Sequence, residues 1–351
     1  MALFKLHAPF PSAGDQTQAI DTLVTNRPGI STLLGVTGSG KTYTIAQAIA
    51  KQNKPVVVVS PNKTLAAQLY EEFSQFFPEN KVCYFVSYYD YYQPESYLPA
   101  QDVYIPKETK VNNEIERLRV EATAAAVERR DTIIVTSVSC IYSLGNPWDY
   151  RKLALSLQKG QTINRRDLIR HLLFTQYERN ETEKKPGTFQ VYGGTIEVHT
   201  PYHKHRKLRV ELFGSEVEDI QWLDAHNNTV VEEVDAVAIL PAKHFVTTED
   251  KKHAAIQSIQ TELDEWLPHL KNPVYRQRLE TRVKHDLDLL QQHGSCPGIE
   301  NYSIHFDGRN TGEPPYCLFD FFDDCLMIVD ESHIAIPQLR GMYTGDQARK
   351  D

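Results

Sequence analysis

The chain has 351 residues, with 38 Lys and Arg against 46 Asp and Glu and a net charge of −8. That length predicts two or three domains with cores of their own. The charge excludes a generally basic, electrostatically sticky nucleic-acid binder, so contact with DNA has to run through a local patch, through stacking, or through loading by a partner.

In chain order, Phe10 to Gln16 precedes a helical pattern from Ala19 to Leu23. Gln16 either reads an adenine edge with its bidentate amide or is an exposed helix-start residue. An apolar pair, Leu33-Leu34, leads into Gly35-Val36-Thr37-Gly38-Ser39-Gly40-Lys41-Thr42, which matches G-x-x-x-x-G-K-[ST]. Ile45, Ala46, Ala48 and Ile49 continue it as a helix. The spacing predicts a strand, a phosphate-binding loop and a helix. Backbone N–H groups would converge on phosphate oxygens at the helix N-terminus, Lys41 would reach the β/γ-phosphates of ATP, and the Thr42 hydroxyl would ligate Mg²⁺. Val56 to Val59 is a continuous apolar run, predicting a buried parallel strand, and Thr64 to Phe77 a helix with Leu65, Leu69 and Phe73 on one face.

Seven of the 18 tyrosines fall between positions 84 and 104: Tyr84, Tyr88, Tyr89, Tyr91, Tyr92, Tyr97 and Tyr104. Gln93-Pro94-Glu95, Pro99 and Pro106 among them predict a protruding hairpin. Its aromatic faces either stack bases or wedge between strands, or they fasten the hairpin to the core. Lys107 and Lys110 are its few cations. Ile133 to Val135 is a further buried strand, and Arg129-Arg130 complement a helix dipole.

From Gly145 to Ala242 the texture changes. Asn164 caps a helix carrying Leu168, Ile169, Leu172 and Leu173. The segments 189–192, 196–198, 208–212 and 237–240 follow as half-solvated antiparallel strands, predicting a separate α+β insert. His199, His203 and His205 lie either in a metal site or, the default, in a solvated turn. Glu249 to His293 reads as charged helix. The run Cys325 to Val329 then ends in Asp330-Glu331-Ser332-His333, where a P-loop enzyme holds Mg²⁺ (Asp330) and orients the attacking water (Glu331). His333 either couples nucleotide to DNA or fills a pocket. Since 289 positions separate Lys41 from Asp330, sizeable insertions within the nucleotide-binding domain are expected. The five cysteines form no C-x-x-C pair, which predicts reduced core thiols. No signal-peptide pattern and no spanning apolar run occur, so no membrane contact and a cytoplasmic location are expected.

With these strings assembled, the chain resembles the UvrB family, the damage-verifying subunits of the bacterial UvrABC nucleotide excision repair system and relatives of superfamily 2 helicases. The resemblance rests on Thr32 to Thr42, Asn62 to Gln68, Ser87 to Glu95, Ser137 to Tyr142 and Val329 to His333. The expected fold is α/β: a RecA-like, doubly wound parallel sheet over 1–150 and 310–351, a DNA-inserting β-hairpin over 88–114, an α+β UvrA-interaction domain over 151–245 and a helical insertion over 246–309. The resemblance implies an ATP- and Mg²⁺-dependent subunit that UvrA loads onto damaged DNA, with UvrC and UvrD as further partners. It implies DNA contacts at Tyr88, Tyr89, Tyr91, Tyr92, Tyr97, Tyr104 and Lys107, and UvrA contacts at Arg179, Arg209, Glu211 and Phe213. Where the family commonly shows Phe-Arg-Val-Arg-Gly, this chain has Phe189-Gln190-Val191-Tyr192-Gly193, two cations fewer at an expected charged interface. The family continues past the equivalent of Asp351 into a second RecA-like domain, so weak nucleotide binding and negligible hydrolysis are expected of these residues alone. The alternatives are a non-catalytic UvrA-binding module, which would have decayed nucleotide motifs, and a general helicase, which the negative charge disfavours.

Overall fold

The computed structural model describes residues 3–25, 29–93, 96–98, 103–105 and 108–350, with side chains left out over 91–111 and 344–350. The chain divides into two compact units, residues 1–141 with 321–351, and residues 142–320.

The first unit is built on strands β1 (Val56–Ser60), β2 (Lys81–Phe85) and β7 (Thr132–Ser137), joined by a strand from the end of the chain, Leu326–Val329. All pair in parallel, in the order Leu326–Val329, β1, β7, β2. Val56 to Val59 and Ile133 to Val135 are at most 2% exposed, which is why they read as unbroken apolar runs: helices cover both faces of a parallel sheet. Helix α1 spans Gln16–Thr25, α2 Lys41–Gln52, α3 Lys63–Phe76 and α4 Asn113–Glu128. The Asn62 side chain caps α3 by accepting from the Leu65 N–H, and Asn112 caps α4 at Glu114 and Ile115. Ala46 and Ile49 from α2 and Phe73 from α3 meet Val56, Val58, Ile133 and Val135 in one core.

One expectation fails here. Residues 31–36 form no strand; Ile30, Leu34 and Val36 are 98%, 94% and 78% exposed. Two leucines between Ser31-Thr32 and Gly35 bury too little to offset about 1–2 kcal/mol per residue of backbone ordering. The outer edge of Leu326–Val329 accordingly carries no paired strand among the described residues. Arg129 stands at the C-cap of α4, with its guanidinium paired to Asp131 at 2.7 Å. Because Leu34 has no packing to lose, Leu34→Asp is expected to change unfolding free energy by no more than about 0.5 kcal/mol without nucleotide, measured by urea titration.

Between β2 and α4 rises the hairpin. Strand β3 (Tyr89–Gln93) pairs with β6 (Glu108–Val111), and β4 (Ser96–Leu98) with β5 (Val103–Ile105), both antiparallel.

The second unit holds a six-stranded sheet over β9 (Glu178–Arg179), β10 (Thr188–Tyr192), β11 (Thr195–His199), β12 (Arg206–Phe213), β13 (Glu216–Asp224) and β14 (Val230–Glu233), neighbours in that order. Helix Arg165–Phe174, capped by Asn164, lays Leu168 and Leu172 against Phe189, Ile196, Val198, Leu208, Val210 and Ile220. The 237–240 run does not join this sheet: β15 (Ala236–Ile239) pairs with β8 (Leu155–Gln158) in a ladder of its own. The charged helical region breaks into Glu249–Trp266 and Pro273–His293, interrupted by a short turn around Pro268, with Ile259, Leu263, Val283, Leu287 and Leu290 in a separate core. All five cysteines are free thiols, with Cys83, Cys140 and Cys296 buried.

Candidate nucleotide and nucleic-acid site

The Gly-rich loop sits at the start of α2. Gly38 and Gly40 take φ of 82° and 77°, the left-handed region that favours glycine. A Cβ at Gly35 would come within 2.6 Å of Ser39 Oγ, and the Ser39 side chain would have to turn aside. Lys41 curls back over this turn: its ammonium donates to the carbonyls of Gly35 (3.0 Å) and Val36 (3.2 Å). Those carbonyls hold the cation where phosphate oxygens would otherwise draw it. Thr37 and Ser39 lie in the loop and Thr42, half-buried, in the first turn of α2. Gln16 rests on the loop. Its amide donates to the Ser39 carbonyl at 3.3 Å and accepts from the Ala13 N–H at 3.0 Å, so both ends of the amide are engaged locally.

Asp330 follows the Leu326–Val329 strand, and its N–H donates to Val59 O on β1 at 2.8 Å. Parallel pairing thus carries Asp330 to the same end of the sheet as the loop. Burial, then the neighbouring Glu331 charge, push its carboxyl above the usual range, while the Lys41 ammonium pulls the other way. Glu331 has φ of 44°, unusual for a residue with a Cβ. His333 is 72% exposed, with Nδ1 3.4 Å from Glu331 Oε2, so it fills no pocket. The Thr42 hydroxyl and the Asp330 carboxylate are oxygen donors suited to a hard cation such as Mg²⁺.

At the hairpin root the Tyr88 and Tyr89 rings lie 4.4 Å apart, with Tyr88 Oη donating to Tyr89 Oη at 3.2 Å. Two residues that the sequence did not single out hold this root. The Lys63 ammonium donates to Tyr89 O at 2.8 Å. The buried Arg119 guanidinium donates to Val86 O at 2.9 Å and lies 3.9 Å from the Phe85 ring centre and 5.3 Å from that of Tyr88. Lys63 falls within a string the resemblance rests on; nothing in the spacing marks Arg119. Tyr91, Tyr92, Tyr97 and Tyr104 belong to the hairpin strands, but their side chains, and Lys107 altogether, lie outside the described residues.

In the second unit, Arg209 and Glu211 are half-exposed on one face of β12, and Phe213 at its end is 77% exposed. Arg179, on β9, pairs with Glu181 at 2.7 Å. Gln190 and Tyr192 differ sharply. Tyr192 is 51% exposed, whereas Gln190 is fully buried opposite Glu197. The cation expected at 190 is thus missing from the interior of the sheet face and not from open surface. The histidines part company too. His199 is buried, His203 packs on Trp222 with ring centres 4.5 Å apart, and His205 faces His226. Among the described residues no three His, Cys, Asp or Glu side chains converge at metal-ligand spacing, and no helix is long and apolar enough to cross a membrane.

A loop with left-handed glycines leading into Lys41-Thr42 at a helix N-terminus, with an acidic pair after a strand of the same parallel sheet, defines a P-loop nucleotide-binding fold. The first unit is also helicase-like by sequence: residues 12–138 match the family model "Type III restriction enzyme, res subunit". Residues 155–245 match the UvrB interaction domain and 250–308 the UvrB third helical domain. UvrABC system protein B of Methanococcus maripaludis is 52% identical over 353 residues, covering 99% of this chain and 54% of that protein. Those of Carboxydothermus hydrogenoformans and Geobacillus kaustophilus are also 52% identical, over 100% and 99% of this chain and 54% of each. The chain thus carries matches to two UvrB domains and is similar over nearly its whole length to UvrB proteins. It spans about half the length of the relatives it matches.

Proposed function

We propose that this chain is the nucleotide-binding and DNA-engaging part of a damage-recognition and verification subunit in nucleotide excision repair. UvrA loads it, the tyrosine-rich hairpin clamps the damaged duplex, and the DNA is prepared for incision by UvrC; UvrD is a further partner implied by the family. The observation that carries the reading is the glycine-shaped loop leading into Lys41 at the start of α2, in the same unit as the Asp330-Glu331 pair that follows the Leu326–Val329 strand and as the hairpin strands.

In this reading Gly35, Thr37, Gly38, Ser39 and Gly40 shape the phosphate cradle, and Lys41 leaves its own loop carbonyls for the β/γ-phosphates of ATP. Gln16 braces the loop from the side and would turn toward the adenine edge. Thr42 and Asp330 would hold Mg²⁺, which supplies charge neutralisation at the phosphates. Glu331 orients the attacking water. The activity is that of a helicase-like ATPase. Arg179, Arg209, Glu211 and Phe213 form the UvrA-facing surface, and Tyr91, Tyr92, Tyr97, Tyr104 and Lys107 the DNA-facing one, on a root made by Tyr88 and Tyr89. The intact loop and acidic pair favour this over a purely UvrA-binding module.

The test is Tyr92→Ala. Loss of one stacked base contact, about 1–3 kcal/mol, is expected to weaken retention on a lesion-bearing duplex roughly ten- to a hundredfold. UvrA binding and the thermal midpoint should stay unchanged. Unaltered retention, or a midpoint lowered by several degrees, would return the tyrosines to a packing role.

A further inference from the structure

One face of the six-stranded sheet carries an unusual polar row. Gln190, Glu197, Arg209 and Gln221 lie opposite one another across β10, β11, β12 and β13. Glu197 is 6% exposed and holds two cations on separate oxygens. The ammonium of Lys207, itself 1% exposed, donates to Oε2 at 2.5 Å. Arg209 donates to Oε1 through both Nε (3.1 Å) and Nη2 (2.8 Å). The two cations differ in freedom, since the Arg209 side chain is 28% exposed and that of Lys207 1%.

On the other side of Glu197 stands Gln190. It is fully buried, and neither its Nε2 nor its Oε1 has a hydrogen-bond partner among the described residues. Directly opposed residues on antiparallel strands have Cβ atoms about 4.5–5.5 Å apart, so the Gln190 amide is within side-chain reach of the Glu197 carboxylate. A buried amide with no partner is costly and calls for an explanation.

We propose that Arg209 is an exchangeable arm and Gln190 its replacement. In the free protein Arg209 occupies Glu197 Oε1 and the Gln190 amide goes without a partner. When a partner presents a carboxylate to this face, Arg209 swings out to it, and the Gln190 Nε2–H donates to the vacated Oε1. Lys207 keeps Glu197 neutralised throughout, so the buried carboxylate is never stranded. The cost of releasing Arg209 is offset by satisfying the Gln190 amide. This rests on the reading of residues 155–245 as a partner-docking domain, and it assigns the partner an acidic contact.

The test is a double-mutant cycle of Gln190→Leu and Arg209→Ala, read by thermal unfolding and by binding to UvrA. In the wild-type background Gln190→Leu removes a partnerless amide and should keep or raise the midpoint. In the Arg209→Ala background the amide already serves Glu197, so the same change should lower the midpoint by about 2–4 °C. That reversal of sign needs no partner. In UvrA binding, Gln190→Leu alone should weaken affinity about tenfold, as loss of one hydrogen bond to a charged group does. It should have no further effect once Arg209 is alanine. The same sign of shift in both backgrounds would overturn the exchange. A reversal accompanied by unchanged UvrA affinity would overturn its use in docking. Failure of the wild-type protein to bind UvrA would refute the docking reading itself, with the unfolding cycle still deciding the exchange.

Discussion

In a protein that also carries the family's second RecA-like domain, Lys41→Ala is expected to lower ATP turnover about 10²–10³-fold, the loss seen when one preorganised donor to developing charge is removed. Lys41 is the first residue of α2, and its ammonium donates to the loop carbonyls of Gly35 and Val36. Alanine is a good helix former at that position, so the fold should be unaffected and the thermal midpoint within a degree or two of wild type. The defect should therefore appear in phosphate release with UvrA and DNA present, and in nucleotide binding by calorimetry. Asp330→Ala should behave alike if the two side chains act on one phosphate–metal assembly. Turnover by Lys41→Ala at the wild-type rate would remove the loop from the chemistry.

The second large effect is on stability. Glu197→Ala strands Lys207, which is 1% exposed. Leaving one buried charge unpaired costs about 3–5 kcal/mol, a loss readable in a urea titration of the protein. The same cluster makes the second unit sensitive to acid. Burial and then the Lys207 charge depress His199 from 6.5 to about 4, so it folds neutral. Below pH 6.5 the unfolded chain takes up a proton that the folded chain refuses. Stability is fully present above that pH and falls as pH drops toward 4, by at most about 1.4 kcal/mol per unit. Burial raises the Glu197 carboxyl, but hydrogen bonds from Lys207 and Arg209 more than reverse that and hold it below its ordinary value of 4.5. Its contribution is present above that value and is lost as pH falls further. His199→Gln should flatten the dependence between pH 6.5 and 4 while leaving the more acidic arm. An unchanged slope would show that His199 titrates normally.

Local pattern alone determined a good deal of this protein. Val56–Val59 and Ile133–Val135 are parallel strands because a run apolar on both faces has to be buried on both. Asn62 and Asn164 cap helices because their side chains reach free backbone donors one turn on. The alternation along 189–192, 196–198 and 208–212 is that of a sheet with one core face. These signals are short in range, and neighbours in sequence are enough to read them. The Gly-Lys-Thr loop is legible for the same reason, because its turn needs glycine at particular positions of its own backbone.

What only the tertiary structure decided depends on residues distant in sequence. Leu33-Leu34 read as a strand, but a strand exists only where a partner edge pairs with it, and here no strand forms and Leu34 stays exposed. Arg119 gave no sign in the spacing, because its role comes from Phe85 and Tyr88 brought beside it by α4 and β2. Gln190 read as a surface position, since alternation tells which face a residue takes but not whether that face is covered. Its burial, and the pairing of Glu197 with Lys207 and Arg209, follow from strand register, and register is settled by the packing of the whole sheet.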